Sequence, residues 1–149
     1  MRFGAPRATL RVMFQNPQAE AAVILANERF YRAFSEGDFL AMSELWAHRV
    51  QVACFHPTAP ALIGREAVLQ SFRQILRGAP TFALRCDEAV VTVVNDTAIL
   101  TCYEGAGEEP AHLAATNVFV IEDGNWRLVH HHAGPLSRPI RRTTPPVVH

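Results

Sequence analysis

The chain has 149 residues, the length of one domain and too short to divide comfortably into two cores. Its 49% hydrophobic and 19% charged content excludes the disordered class. Fourteen basic residues balance fourteen acidic ones, so no excess positive charge exists to draw a nucleic acid or an anionic membrane, and neither partner is expected.

Residues 1–17 show no sustained period and predict an N-terminal tail. From Gln18 to Glu36 the apolar Ala22, Val23, Ala26, Phe30, Ala33 and Phe34 recur at spacings of three and four, which predicts an amphipathic helix. Gly37 offers a left-handed stop, and Asp38 an N-cap for a shorter helix with Met42, Leu45 and Trp46 on one face. Val50, Val52 and Cys54 alternate with Gln51, Ala53 and Phe55 and predict a strand that His56-Pro57 ends. A loop crosses to Gly64, after which Val68, Leu69, Phe72, Ile75 and Leu76 predict a third helix over 65–76, stopped by Gly78 and Pro80. Four runs follow, 81–94, 97–106, 111–122 and 125–133, and the turn residues between them predict consecutive antiparallel hairpins. Asp123-Gly124 is the clearest of these turns, because both of its positions need a positive φ. Residues 136–149 gather Pro139, Pro145 and Pro146 with Arg138, Arg141 and Arg142, and predict a Pro/Arg-rich tail expendable for folding. The domain proper is then 18–135, and helices followed by a meander make it α+β.

Three segments carry a likeness: Glu36-Gly37-Asp38-Phe39 at the helix joint, Val52 to Pro57 followed by Leu62-Ile63-Gly64-Arg65-Glu66-Ala67-Val68, and Trp126 to Pro135. Their order resembles the nuclear transport factor 2-like (NTF2-like) superfamily, especially its SnoaL-like branch, over roughly residues 20–135. The last segment is similar also to the end of the association domain of calcium/calmodulin-dependent kinases. The resemblance implies a cystatin-like cone, three N-terminal helices packed on a curved antiparallel sheet around a mostly apolar pocket, with dimerisation through the sheet's other face. It names no reaction, because the superfamily holds isomerases, dehydratases, cyclases, epoxide hydrolases, assembly domains and binding modules.

Every basic residue is arginine, which excludes Schiff-base chemistry and a lysine base. Cys54, Cys86 and Cys102 are odd in number, with neither a CxxC pair nor a metal-ligand spacing. They argue against a disulfide framework and for a reducing, cytoplasmic setting. No apolar run reaches the roughly 18 residues of a membrane span, and residues 1–17 lack the apolar core of a signal peptide.

His130, His131 and His132 are the main chemical feature. On a regular strand His130 and His132 share a face with Trp126 and Leu128, while His131 points the other way with Val129. Imidazole takes and gives protons near neutral pH, so His130 and His132 are the candidate catalytic pair and His131 a candidate ligand contact. Hydrogen-bonded structural histidines would have the same pattern. A metal would need a third ligand from His56, His112 or Glu104; no such set is recognisable, and no metal or cofactor is expected.

Asn27 and Tyr31, four apart on the first helix, could present polar groups to a cavity or to solvent. Arg85, Glu104 and Asn117 lie on central strands, where buried polar groups must be paired. Arg85 could receive an anion or pair with Asp87 or Glu104. Tyr103 and Glu104, being adjacent on a strand, face opposite ways. Trp46 and Trp126 read as packing. These residues describe a pocket for a small apolar or weakly polar ligand, in a homodimer whose sheet face includes Val91, Val93, Ile99, Thr101, Phe119 and Ile121. The pocket could serve a binding module or an acid/base enzyme of the cyclase, isomerase or dehydratase type; an assembly domain is the third alternative.

Overall fold

The computed structural model describes residues 16–142 except 79 and 81. Helix α1 (Pro17–Glu36) begins where the Asn16 side chain accepts from the Ala19 N–H at 3.1 Å and Pro17 fills a position that needs no donor. It ends at Gly37, whose φ of 67° costs a glycine little. Asp38 then caps α2 (Phe39–Leu45) by accepting from the Ala41 N–H. After β1 (Ala53–Phe55) and β2 (Leu62–Ile63) comes α3 (Arg65–Arg77). Arg65 ties the start of α3 to the end of α2 by donating to the Ser43 and Trp46 carbonyls at 2.8 Å each. Four long strands complete the chain: β3 (Leu84–Val94), β4 (Thr97–Ala106), β5 (Ala111–Glu122) and β6 (Asn125–Ile140).

All six strands form one sheet in the order β2-β1-β6-β5-β4-β3. The last four run antiparallel, as their turn residues predict, and Asp123 and Gly124 take φ of 50° and 77°. β1 runs parallel to β6, pairing Ala53, Cys54 and Phe55 with His130, His131 and His132. It is shorter than the alternating run over 50–55, and β2, where a loop was expected, pairs with it antiparallel.

The three helices cover one face of this sheet. Phe30, Trp46, Phe72, Phe119 and Leu128 are fully buried between the layers, with Phe30 and Trp46 each 5.9 Å from the Phe72 ring. Burying each such side chain contributes about 1.5–3 kcal/mol. Val91, Val93 and Phe119 belong to this inner face, because Val91 and Val93 pair with the buried Leu100 and Ala98 and Phe119 follows the phase of Ala115 and Asn117. The face expected to dimerise loses those three residues. Ile99, Thr101, Val90 and Val94 remain exposed on it, while Ile121 is exposed near the end of its strand.

The C-terminal boundary also moves. β6 continues past 135 to Ile140, which pairs with Ala111, and Arg142 Nε lies 3.5 Å from the Asp87 carboxylate. Pro135 and Pro139 are tolerated because β6 has no strand partner on its β1 side beyond Phe55, so a missing N–H there breaks no ladder. Residues 1–15 and 143–149, most of the two expected tails, lie outside the described residues. Among the described residues no helix is long and apolar enough to cross a membrane.

Two β-bulges set the positions of the side chains that follow. On β3 the register shifts between Asp87 and Val90, where Glu88 takes a φ of 53°. On β6, Phe119 pairs with Leu128 but the next residue back, Val118, pairs with His130, which leaves Val129 as an extra residue.

Candidate functional site

The extra residue on β6 inverts the alternation expected from Trp126 and Leu128. Leu128 faces the helices, and after the bulge so do His131 and Ala133, whereas His130 and His132 stand on the outer face beside Val118 and Thr116. The expectation that His130 and His132 share the inner side with Trp126 is therefore corrected. His131, only 5% exposed, is the histidine that enters the interior. His132 stacks on Phe55, with ring centroids 4.7 Å apart, and His130 lies 6.3 Å from His132.

Inside, the sheet and α1 bring together His131 from β6, Asn117 from β5, Glu104 from β4, and Asn27 and Tyr31 one helical turn apart. All five are buried. Asn117 Oδ1 is 2.5 Å from His131 Nδ1, and the Asn117 amide donates to Asn27 Oδ1 at 2.7 Å and to the Tyr31 hydroxyl at 3.3 Å. Tyr31 in turn donates to Glu104 Oε1 at 2.8 Å. A carbonyl oxygen can only accept, so His131 Nδ1 must carry the proton, and in the neutral ring Nε2 then presents a lone pair. That nitrogen lies 3.8 Å from Glu104 Oε1.

Burial governs the protonation of this group. It pushes the Glu104 carboxyl up to about 7, only partly offset by the Tyr31 hydrogen bond. It drives His131 down to about 3, with smaller contributions from His56, His130 and His132. Tyr31 is held far above its ordinary value by burial and by the neighbouring Glu104 charge. At neutral pH the interior thus holds a neutral imidazole, a neutral phenol and a carboxyl poised between its two forms. Such a carboxyl can both take and return a proton.

Three cysteines, none of them a candidate site residue, and His56, considered only as a metal ligand, adjoin the cluster. Asn27 donates to Cys86 Sγ at 3.3 Å, and the Tyr31 hydroxyl is 3.4 Å from Cys102 Sγ. Cys54, on β1 beside His131, is fully buried. His56 Nε2 is 2.7 Å from Ser71 Oγ, and burial lowers its pKa. The signal for Cys102 lay in its sequence, since residues 102 and 104 of one strand share a face.

Arg85 does not join the interior. Its guanidinium grips the Asp87 carboxylate, with Nε 2.9 Å from Oδ1, and donates to the Gly107 and Glu109 carbonyls. It therefore clamps the β4–β5 loop, and the anion-binding alternative gives way to the pairing with Asp87. Glu104 and the His130–His132 pair occupy opposite faces of the sheet, so those three cannot ligate one metal. Trp126 is only half-buried and Trp46 is completely buried. A hollow of about 350 Å³ lies on the outer face, lined by Val90, Thr101, Tyr103 and Thr116 among others.

Comparison with known proteins agrees with this architecture. The model of the SnoaL-like domain matches residues 23–137. Among solved structures the chain is similar to a candidate dehydratase of the NTF2-like family from Streptomyces avermitilis, 35% identical, with 83% of this chain and 100% of that one covered and a TM-score of 0.74. It is similar also to a candidate calcium/calmodulin-dependent protein kinase type II association domain from Thiobacillus denitrificans ATCC 25259, 35% identical, with 83% and 98% covered and a TM-score of 0.64. The F-box protein SKIP8 of Arabidopsis thaliana is 26% identical over 112 residues, 75% of this chain and 48% of that protein. The chain thus spans about half the length of the curated relative it matches.

Proposed function

Because this chain belongs to the SnoaL-like domain family of NTF2-like proteins, we propose that its interior takes up a small, weakly polar molecule and moves a proton on it, in the manner of a dehydratase or isomerase. The observation that carries this reading is the convergence of Glu104, Tyr31 and His131, all buried, between the sheet and α1. Glu104 is the proton carrier, since its carboxyl titrates near neutral pH. The Tyr31 hydroxyl and the amides of Asn27 and Asn117 are donors suited to a developing oxyanion. His131 Nε2 is an acceptor that orients a substrate hydroxyl. In this structure the donors bond to one another, so a bound molecule replaces those internal bonds with its own polar groups. The candidate dehydratase at 35% identity supports this class of chemistry.

The test is native mass spectrometry of the purified protein, followed by binding and turnover of the recovered molecule by wild type and Glu104→Gln. The expected result is a bound molecule whose turnover falls by at least about 100-fold in the variant, with binding kept. Unchanged turnover in Glu104→Gln would overturn the assignment of the proton carrier.

A second reading, an assembly domain, is favoured by the way the interior side chains satisfy one another and by the likeness to a candidate association domain. In either reading the protein is a homodimer packed through the outer sheet face, where Val90, Val94 and Ile99 are exposed and His130 and His132 stand. Light scattering should give twice the chain mass; a mass near 16.5 kDa would refute the dimer.

A further inference from the structure

Cys86 and Cys102 lie on the inner face of the neighbouring strands β3 and β4, beside the bulge on β3. Cys86 pairs directly with Glu104 and Asp87 with Tyr103, so Cys102 comes opposite the displaced residues Glu88 and Ala89. Both sulfurs face α1, Cys86 toward the Asn27 amide at 3.3 Å and Cys102 toward the Tyr31 hydroxyl at 3.4 Å, on residues one helical turn apart. We propose that Cys86 and Cys102 form an oxidisable dithiol, in which Cys86 meets a hydroperoxide and Cys102 resolves it to an intramolecular disulfide. The proposal does not rest on any turnover at Glu104, although Asn27 and Tyr31 adjoin both groups.

The roles follow from surroundings. Cys86 is partly exposed, and the neighbouring Cys102 thiol together with the Asn27 N–H that its sulfur accepts lowers its pKa and favours the thiolate. Cys102 is buried, and the neighbouring Cys86 together with desolvation raises its pKa, so it keeps its proton until a partner appears. Cys54 is fully buried with its thiol pushed up to about 12, and stays inert. In the first step, with hydrogen peroxide, the Cys86 thiolate attacks one peroxide oxygen, the O–O bond breaks, and the hydroxide that leaves takes up the proton Cys86 had released and becomes water. In the second, Cys102 sulfur attacks the Cys86 sulfenic sulfur, the S–O bond breaks, and a second water departs with the Cys102 proton. Two thiols are oxidised and one hydroperoxide is reduced.

The experiment treats the reduced full-length chain with hydrogen peroxide at neutral pH, alkylates the remaining thiols after unfolding, and maps the peptides by mass. The expected result is a Cys86–Cys102 linked peptide with two hydrogens lost and Cys54 alone alkylated, Cys86 reacting at least about tenfold faster than Cys54. In Cys102→Ser, Cys86 should stop as a sulfenic acid that a cyclic diketone traps. Oxidation of Cys54 as fast as Cys86 would overturn the proposal. So would Cys86 reaching sulfinic acid beside a free Cys102, a disulfide between chains, or oxidation no faster than in the urea-unfolded chain. The wild-type map decides the matter even where a variant fails to fold.

Discussion

Glu104→Gln should tilt the dependence of stability on pH. In the fold its carboxyl titrates at about 7 against an ordinary 4.5, because burial disfavours the anion. Between those values the folded chain holds a proton that the unfolded chain has released, so stability falls as pH rises. The contribution is complete below the unfolded value and has gone once pH passes the folded one, a fall of about 1.4 kcal/mol per pH unit and about 3 kcal/mol in all. His131 acts in the opposite sense. Held at about 3 instead of 6.5, it stays neutral in the fold while the unfolded chain takes up a proton, so its share is present above 6.5 and lost as pH falls. Across the overlap the two slopes oppose each other and largely cancel in the wild type. Glutamine cannot titrate, yet it keeps the volume and can still accept from Tyr31. Urea unfolding of both proteins across this range should therefore show the variant gaining on wild type by about 1.4 kcal/mol per pH unit as pH rises. Two parallel curves would refute a buried, protonated Glu104.

Replacing Trp46 by Ala should cost about 3–5 kcal/mol in denaturant unfolding, since the ring is completely buried against Phe72. Trp126→Ala, at a half-buried ring, should cost less, about 1–3 kcal/mol. His131→Leu leaves Asn117 Oδ1 without its partner and should destabilise by about 1–3 kcal/mol. His132→Gln, on the outer face, should leave stability within about 0.5 kcal/mol while altering self-association measured by light scattering. Ending the chain after Ser137 removes the Ile140–Ala111 pairing and the Arg142–Asp87 contact, and thermal melting should show a loss of about 1 kcal/mol rather than none.

Local chemistry made most of the elements legible. Gly37, Asp38 and Asp123-Gly124 act within a few residues of themselves, and the helix joint and the last hairpin fall where these residues put them, whereas Asn16 and Pro17, which start α1, stood in the expected tail. The parallel pairing of β1 with β6 was not legible, because residues 53–55 and 130–132 meet only through the tertiary fold. Tyr31, Asn27, Glu104 and Asn117 stood out as polar residues on apolar elements, and the structure gathers them into one network. The orientation of the histidines did not follow, since nothing in Leu128-Val129-His130 announces a bulge. Alternation carries phase only as far as the ladder is regular. Arg85 was similarly ambiguous, because its choice between a ligand and Asp87 rests on where the loop carbonyls of Gly107 and Glu109 come to lie.

The displaced Val129 sits immediately before three identical side chains, and that adjacency gives the strand a tolerance of phase. With the bulge present the middle imidazole faces α1; with the bulge ironed out by a one-residue slip, the first and third would face it instead. Either phase puts an imidazole on the inner side of the sheet, so this position is buffered against the slip that elsewhere would exchange a polar group for an apolar one. The buffering is incomplete, because Asn117 fixes the depth at which an imidazole can reach it. Substituting His131 alone therefore tests two things at once, the loss of one side chain and the chance for the strand to offer a neighbour in its place. Replacing all three histidines separates them.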